Sequence, residues 1–349
     1  MMLTHSGKGS MLNCDWKSIG RRLRPAILVL LVLTSTGAEW SVAGETVYMS
    51  ILSSRRHAWG KNDFPVIGLF VSTDAGRTWE HRGWREYIRM FYTEAGPDGV
   101  LWSACGNGIL RSKDDGASWR VTTGSDVTEV LRLSVDRRAP RRVAAATAYG
   151  PILTTDGGER WRFISEGLSS RFTGDICIDR MTGTMLVATE KGVFIRAKND
   201  RRWRPTSMTK DTRVIVQHVS LPKVFFAGTE EDGIWKSTDG GRTWAAYNAG
   251  LAHKTVYAIA TGSGRSGAIF AATYGGGIYR SDDGGQTWSQ KIQGLTTLDC
   301  HAVLVLPSDQ KTVYAGTLNG GLFKSTDGGD TWGFNSQEDA QVWGMSVQP

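Results

Sequence analysis

Six aspartates recur in one setting along the chain: Asp74, Asp114, Asp156, Asp239, Asp283 and Asp327 each stand two residues before a glycine and five before a tryptophan. Carboxylates repeated in this way offer two chemistries, ligation of a metal ion or acid catalysis, and Asp115 and Asp282 add a second acid beside two of them. Neither chemistry suits the pattern. One short turn supplies too few oxygens for calcium, and equivalent copies in separate repeats lie too far apart to converge on one substrate. The whole phrase reads Ser-x-Asp-x-Gly-x-Thr-Trp, as in Ser72 to Trp79. In such a turn the carboxylate accepts hydrogen bonds from nearby amides, the glycine takes a positive φ, the hydroxyls tie the hairpin ends and the tryptophan packs across the hairpin. The expected role is structural, with no metal and no cofactor.

The elements that carry these turns repeat with them. Trp79, Trp119, Trp161, Trp203, Trp244, Trp288 and Trp332 follow one another at intervals of 40 to 44 residues, the length of a four-stranded propeller blade. The copy at Arg196 to Trp203 is eroded, with Lys198, Asp200 and Arg202 in place of the Asp, Gly and Thr, but its tryptophan stays in step. Each period opens with a β-branched or alternating run such as Val130 to Val135, continues through a small-residue run such as Val313 to Thr317, and then a Gly-apolar-aromatic run such as Gly277 to Ser281. The first period begins directly at its second strand, Thr46 to Ser50, whereas Gln341 to Val347 reads as a first strand without a blade. Pairing the two closes a ring and removes its exposed edges. The prediction is an all-β, seven-bladed β-propeller of four-stranded blades over residues 44–349, closed by the C-terminal strand in the N-terminal blade.

Residues 1–43 read as a signal peptide or disordered leader, with basic residues Lys17, Arg21, Arg22 and Arg24 before an apolar run from Ala26 to Leu33 and small residues ending at Ala38 or Ala43. The chain is therefore expected to be exported, periplasmic or extracellular, or held by an uncleaved signal anchor, with no membrane span beyond the leader. The formal net charge of +7 falls once this basic segment is removed, and the mild remainder gives no reason to expect nucleic acid as a partner. Cleavage there would leave Cys105, Cys177 and Cys300, an odd number that fits buried free thiols.

On the strength of the six boxes, residues 46 to 349 resemble the Asp-box, or bacterial-neuraminidase-repeat, propellers, and most closely the seven-bladed photosystem II assembly-factor type. The resemblance implies the fold and spreads the function over sialidases, xyloglucan-cleaving glycosidases, sortilin-type receptors and assembly factors. Sialidases of this kind carry an Arg-Ile-Pro tripeptide near the start of a six-bladed ring, and this chain has neither feature. Xyloglucan-cleaving relatives join two propellers around a cleft, and this chain has length for one.

Binding residues are expected on the rim opposite the boxes, where the loops between second and third strands differ from blade to blade. These loops contribute Arg55, Arg56, His57 and Trp59 in the first blade, then Asn107, Tyr149, Glu190, the acidic run Glu230, Glu231 and Asp232, Tyr274 and Asn319. Glu190 with Glu231 or Asp232 is the one carboxylate pair worth testing for glycoside hydrolysis. Two arginine clusters map instead to the Asp-box rim: Arg137, Arg138, Arg141 and Arg142 in a turn between first and second strands, and Arg201, Arg202 and Arg204 in and beside the eroded box. They form a candidate docking patch for an acidic protein or lipid headgroups. The function expected is that of a monomeric, non-enzymatic scaffold or assembly factor for another protein or complex. The alternatives are a glycoside hydrolase or a lectin that stacks sugars on Trp59, Tyr149 and Tyr274.

Overall fold

A computed structural model describes residues 45–54, 67–83, 88–264 and 267–348. The leader and the loop bearing Arg55, Arg56, His57 and Trp59 lie outside these residues. Strands β1 (Val47–Ser54) through β28 (Ala340–Val347) form seven antiparallel four-stranded sheets. Six run in simple sequence order, and the seventh has the order β28-β1, followed by the strands Gly68–Ser72 and Glu80–His81. The predicted seven-bladed ring and its closure are therefore present. β28 pairs with β1 from Val47 opposite Val347 to Ser54 opposite Ala340.

The sequence explains why blades pack. Every second strand, from Leu101–Cys105 to Val313–Thr317, is buried along its whole length because a neighbouring blade covers each face. Small residues are needed there. A Cβ on Gly228 would meet the side chains of Val256 and Val214 at 2.7 and 2.8 Å, and one on Gly316 would meet Val342 at 2.5 Å. At the closure, Val47, Met49 and Ile51 of the first blade share one apolar cluster with Ala302, Tyr314 and Leu322 of the last. Burial of such side chains contributes about 1.5–3 kcal/mol each.

The Asp-boxes behave as the sequence predicts. Asp283 accepts the Ser281 hydroxyl (2.8 Å), the Thr287 amide (2.9 Å) and the Thr287 hydroxyl (2.5 Å), and the other five intact boxes repeat the arrangement with Arg160 replacing the hydroxyl residue in one. The Thr287 bonds hold the Asp283 carboxyl down at about 2. The box glycines stand at φ between 75° and 93°.

The tryptophans do more than cross their own hairpins. Trp119, Trp288 and Trp332 donate their indole N–H to the carbonyls of Arg82, Tyr247 and Lys291, and Trp79 to the Asn335 side chain, each in or directly after the outermost strand of the preceding blade. Cations of the third strands reach the opposite way. Lys236, Arg280 and Lys324 donate to the box carbonyls of Gly284, Gly328 and Ala75 in the following blade, at 2.6–2.9 Å. The box rim is thus a belt of clasps between blades.

Candidate functional site

The innermost strands of all seven blades surround a central channel, whose cavity is about 300 Å³. They are β4 (Met90–Ala95), β8 (Val130–Val135), β12 (Thr173–Ile178), β16 (Thr212–Gln217), β20 (Val256–Thr261), β24 (Cys300–Val305) and β28. Each carries a β-bulge near its start, at the end of the channel opposite the boxes. In β4 to β24 the bulge leaves the second residue without a cross-strand partner, and in β28 it leaves Trp343 so. A bulge re-aims one side chain. In blade order the re-aimed residues are Trp343, Phe91, Leu131, Gly174, Arg213, Tyr257 and His301.

Four of them form an aromatic arc across adjacent blades. The Tyr257 ring stacks on His301 with centroids 4.1 Å apart, His301 lies 4.4 Å from Trp343, and Trp343 meets Phe91 edge-on at 6.0 Å. Tyr274, half exposed on the rim, stands edge-on to Tyr257 at 6.3 Å. Burial lowers the His301 imidazole to about 4, so it is neutral at pH 7.

The opposite wall is charged. Arg132 lies 4.2 Å over the Tyr92 ring and 3.6 Å from the Asp175 carboxylate, which also accepts the amides of Ile176 (2.7 Å) and Ile215 (2.9 Å). Glu94 accepts the Val135 amide at 3.4 Å and lies 3.6 Å from Arg137. Burial, opposed by Arg137, pushes the Glu94 carboxyl up to about 7, and burial likewise raises Asp175 against the pull of Arg132. Arg180 closes this wall, donating to the Gln217 side chain at 3.1 Å and to the His218 carbonyl. Sequence reasoning missed both walls because it placed ligand residues in loops. For the arc, the signal available was variation at the second position of otherwise similar first strands, whereas Arg132, Asp175 and Glu94 stand at other positions.

The predicted rim residues that the structure describes lie in the loops between second and third strands. Tyr149 and Tyr274 are each about half exposed, Asn107 and Glu231 are exposed, and Asn319 accepts the Gln341 amide at 3.0 Å. Glu190 accepts the Ser170 hydroxyl at 3.1 Å, Glu230 pairs with Arg213 at 2.6 Å, and Asp232 pairs with Lys210 at 2.9 Å. None of these carboxylates lines the channel cavity.

The first arginine cluster disperses. Arg137 turns to Glu94, Arg138 donates to the Met181 carbonyl, Arg141 to the Asp156 carbonyl, and Arg142 is buried against Asp136 at 2.9 Å. Arg201, Arg202 and Arg204 are exposed, with Arg204 3.8 Å from Asp200. In this eroded box the buried Arg196 takes over the tie, donating to the Asp200 carbonyl at 2.7 Å beneath Trp203. Cys105, Cys177 and Cys300 are free, and burial raises all three thiols. Among the described residues no cluster of His, Cys, Asp and Glu is arranged to hold a metal, and no helix is long and apolar enough to cross a membrane.

Residues 279–290, which span the box of Asp283, match the BNR/Asp-box repeat. The repeated turn is an Asp-box. No curated protein is similar enough in sequence to count as a match. Among solved structures, the chain is similar to the GH74 enzyme of Niastella koreensis at 19% identity and a TM-score of 0.58, over 79% of this chain and 42% of that one. It is similar to YCF48 bound to D1 peptide at 19% identity and a TM-score of 0.55, over 70% and 81%. A third likeness, at 14% identity and a TM-score of 0.59, is to the extracellular domain of the putative hybrid two-component system BT4673 of B. thetaiotaomicron, over 83% and 38%. The chain thus spans less than half the length of the GH74 structure. At these identities the likeness establishes the propeller fold alone, and that one fold is shared by a GH74 enzyme, a peptide-bound protein and the extracellular domain of a two-component system.

Proposed function

We propose that this protein is a non-enzymatic scaffold or assembly factor that acts outside the cytoplasm and binds another protein. The observation that supports this most is the state of its carboxylates. Glycoside hydrolysis requires two carboxyl groups about 5–10 Å apart across one bond. On the rim, Glu230 and Asp232 are each neutralised by their own cation, while Glu190 accepts the Ser170 hydroxyl from the loop that leads into its own blade. In the channel, Glu94 and Asp175 lie beside arginines and accept main-chain amides. YCF48, whose structure carries a bound D1 peptide, is matched over most of its length by this single ring.

The test is a panel of aryl-glycosides and polysaccharides with the purified protein, together with capture of partners from the native envelope. No turnover is expected, and a protein should be retained. Turnover abolished by Glu231→Gln or Glu190→Gln would overturn the reading. The export reading rests on the leader and is checked by N-terminal sequencing of the secreted or periplasmic protein, with cleavage expected after Ala38 or Ala43.

A further inference from the structure

The aromatic arc at the channel mouth belongs to no clasp and closes no blade, yet its geometry is shared by four adjacent blades. We propose that it receives a basic side chain, lysine or arginine, from the partner polypeptide. The proposal rests on the scaffold reading and adds the site and the chemistry of the partner.

Polar edges carry the first part of the argument. The ring nitrogens of His301 and the phenol oxygen of Tyr257 have no hydrogen-bond partner among the described residues, and His301 lines the cavity. A neutral imidazole keeps one lone pair, and a phenol oxygen accepts as well as donates, so both can take N–H donors. Tyr274, half exposed and set at 84° to Tyr257, makes an open corner in which a cation meets a ring.

Charge carries the second part. The charged groups that act on Tyr257 are Glu230, Arg213 and Asp299, and Asp299 also acts on His301. Arg213 is held by Glu230 at 2.6 Å, and Asp299 accepts the Gly275 amide at 2.9 Å with no cation paired to it among the described residues. The mouth is therefore negative beside uncharged rings. A stacked sugar would need a broad open face, whereas the rings of Tyr257 and His301 cover one another. Of the arc, His301 and Trp343 line the cavity of about 300 Å³, while Tyr257, Tyr274 and Asp299 lie outside its lining, so the cation is received at the rim itself.

The experiment measures binding of two capped peptides, Ac-Gly-Arg-Gly-NH2 and its citrulline counterpart, to the full chain by saturation-transfer NMR and calorimetry. Citrulline keeps the shape and removes the charge. The arginine peptide should bind, and the citrulline peptide about tenfold more weakly, as expected for the loss of one charge-assisted contact. Asp299→Asn and Tyr257→Phe, which preserve shape, should each weaken arginine binding about threefold to tenfold with unchanged melting temperature. Phe163→Leu, exposed on the outermost strand of another blade, should change nothing. Equal binding of the two peptides, or arginine binding indifferent to Asp299→Asn and Tyr257→Phe, overturns the site. Retention of a captured partner by the double variant would sink this site and leave the scaffold reading standing, whereas rim-dependent glycoside turnover would sink the scaffold reading itself.

Discussion

The two ends of the channel are made by the same seven repeats and treat their side chains in opposite ways. At the box rim, six blades place the same Ser or Thr, Asp and Gly in the same turn, and the tryptophan belt bonds blade to blade. At the mouth, the backbone repeats just as faithfully, with a bulge in each innermost strand, but the residues on those bulges run from tryptophan to glycine. Where side chains hold neighbouring blades together, each must suit the same turn, so they recur. Where the bulge re-aims a side chain at the mouth, no shared turn dictates its type, and it is free to differ. The difference separates the part of the ring that keeps its shape from the part available for recognition.

The strongest way to break this comparison is to open the ring. Removing residues from Gln341 onward deletes β28, its pairing with β1 and the Trp343 member of the arc. It also exposes Val47, Met49 and Ile51. Loss of several buried side chains, each contributing about 1.5–3 kcal/mol, exceeds the roughly 5–15 kcal/mol by which a domain is stable. The expected outcome is loss of the cooperative melting transition. A truncated chain that melts like the full one would mean that the ring does not depend on its closure. Within an intact ring, Gly228→Val should cost about 3 kcal/mol in denaturant melts, because its Cβ would stand 2.7 Å from Val256 of the next blade. A cost near zero would show that the blades can slide apart to admit it.

Blade count, box chemistry and closure were legible in the sequence because a tryptophan at intervals of 40 to 44 residues fixes the period, and the Asp-box has one local solution. The channel was not. Arg137 and Arg142 look alike in sequence, yet one faces Glu94 across a blade boundary and the other is buried on Asp136. Glu94 and Asp175 read as ordinary strand residues, and their burial follows from the shape of the whole ring. The arc depends on bulges, which shift register by a single residue and leave no mark in an alternating pattern.

Titration sharpens the comparison, because the acids at the two ends shift in opposite directions. Asp283 ionises at about 2 in the folded protein, held down by Thr287, and Asp156 does the same under Arg160. A depressed folded-state pKa contributes stability that is complete above the unfolded value near 4 and fades as pH falls toward 2. Glu94 is the reverse, since burial raises it from 4.5 to about 7. Between those values the folded protein holds a proton that the unfolded chain has released, so stability declines as pH rises from about 4.5 to 7. Melting temperature should therefore fall steeply below pH 4 and slope gently downward from pH 5 to 8. Glu94→Gln keeps the shape and removes the second slope, raising stability at pH 8 by about 1–2 kcal/mol relative to the wild type and leaving the acid limb in place. An equal effect of Glu94→Gln at pH 5 and pH 8 would show that this carboxylate is already ionised and firmly paired with Arg137, and the charged wall would then be a rigid ion pair.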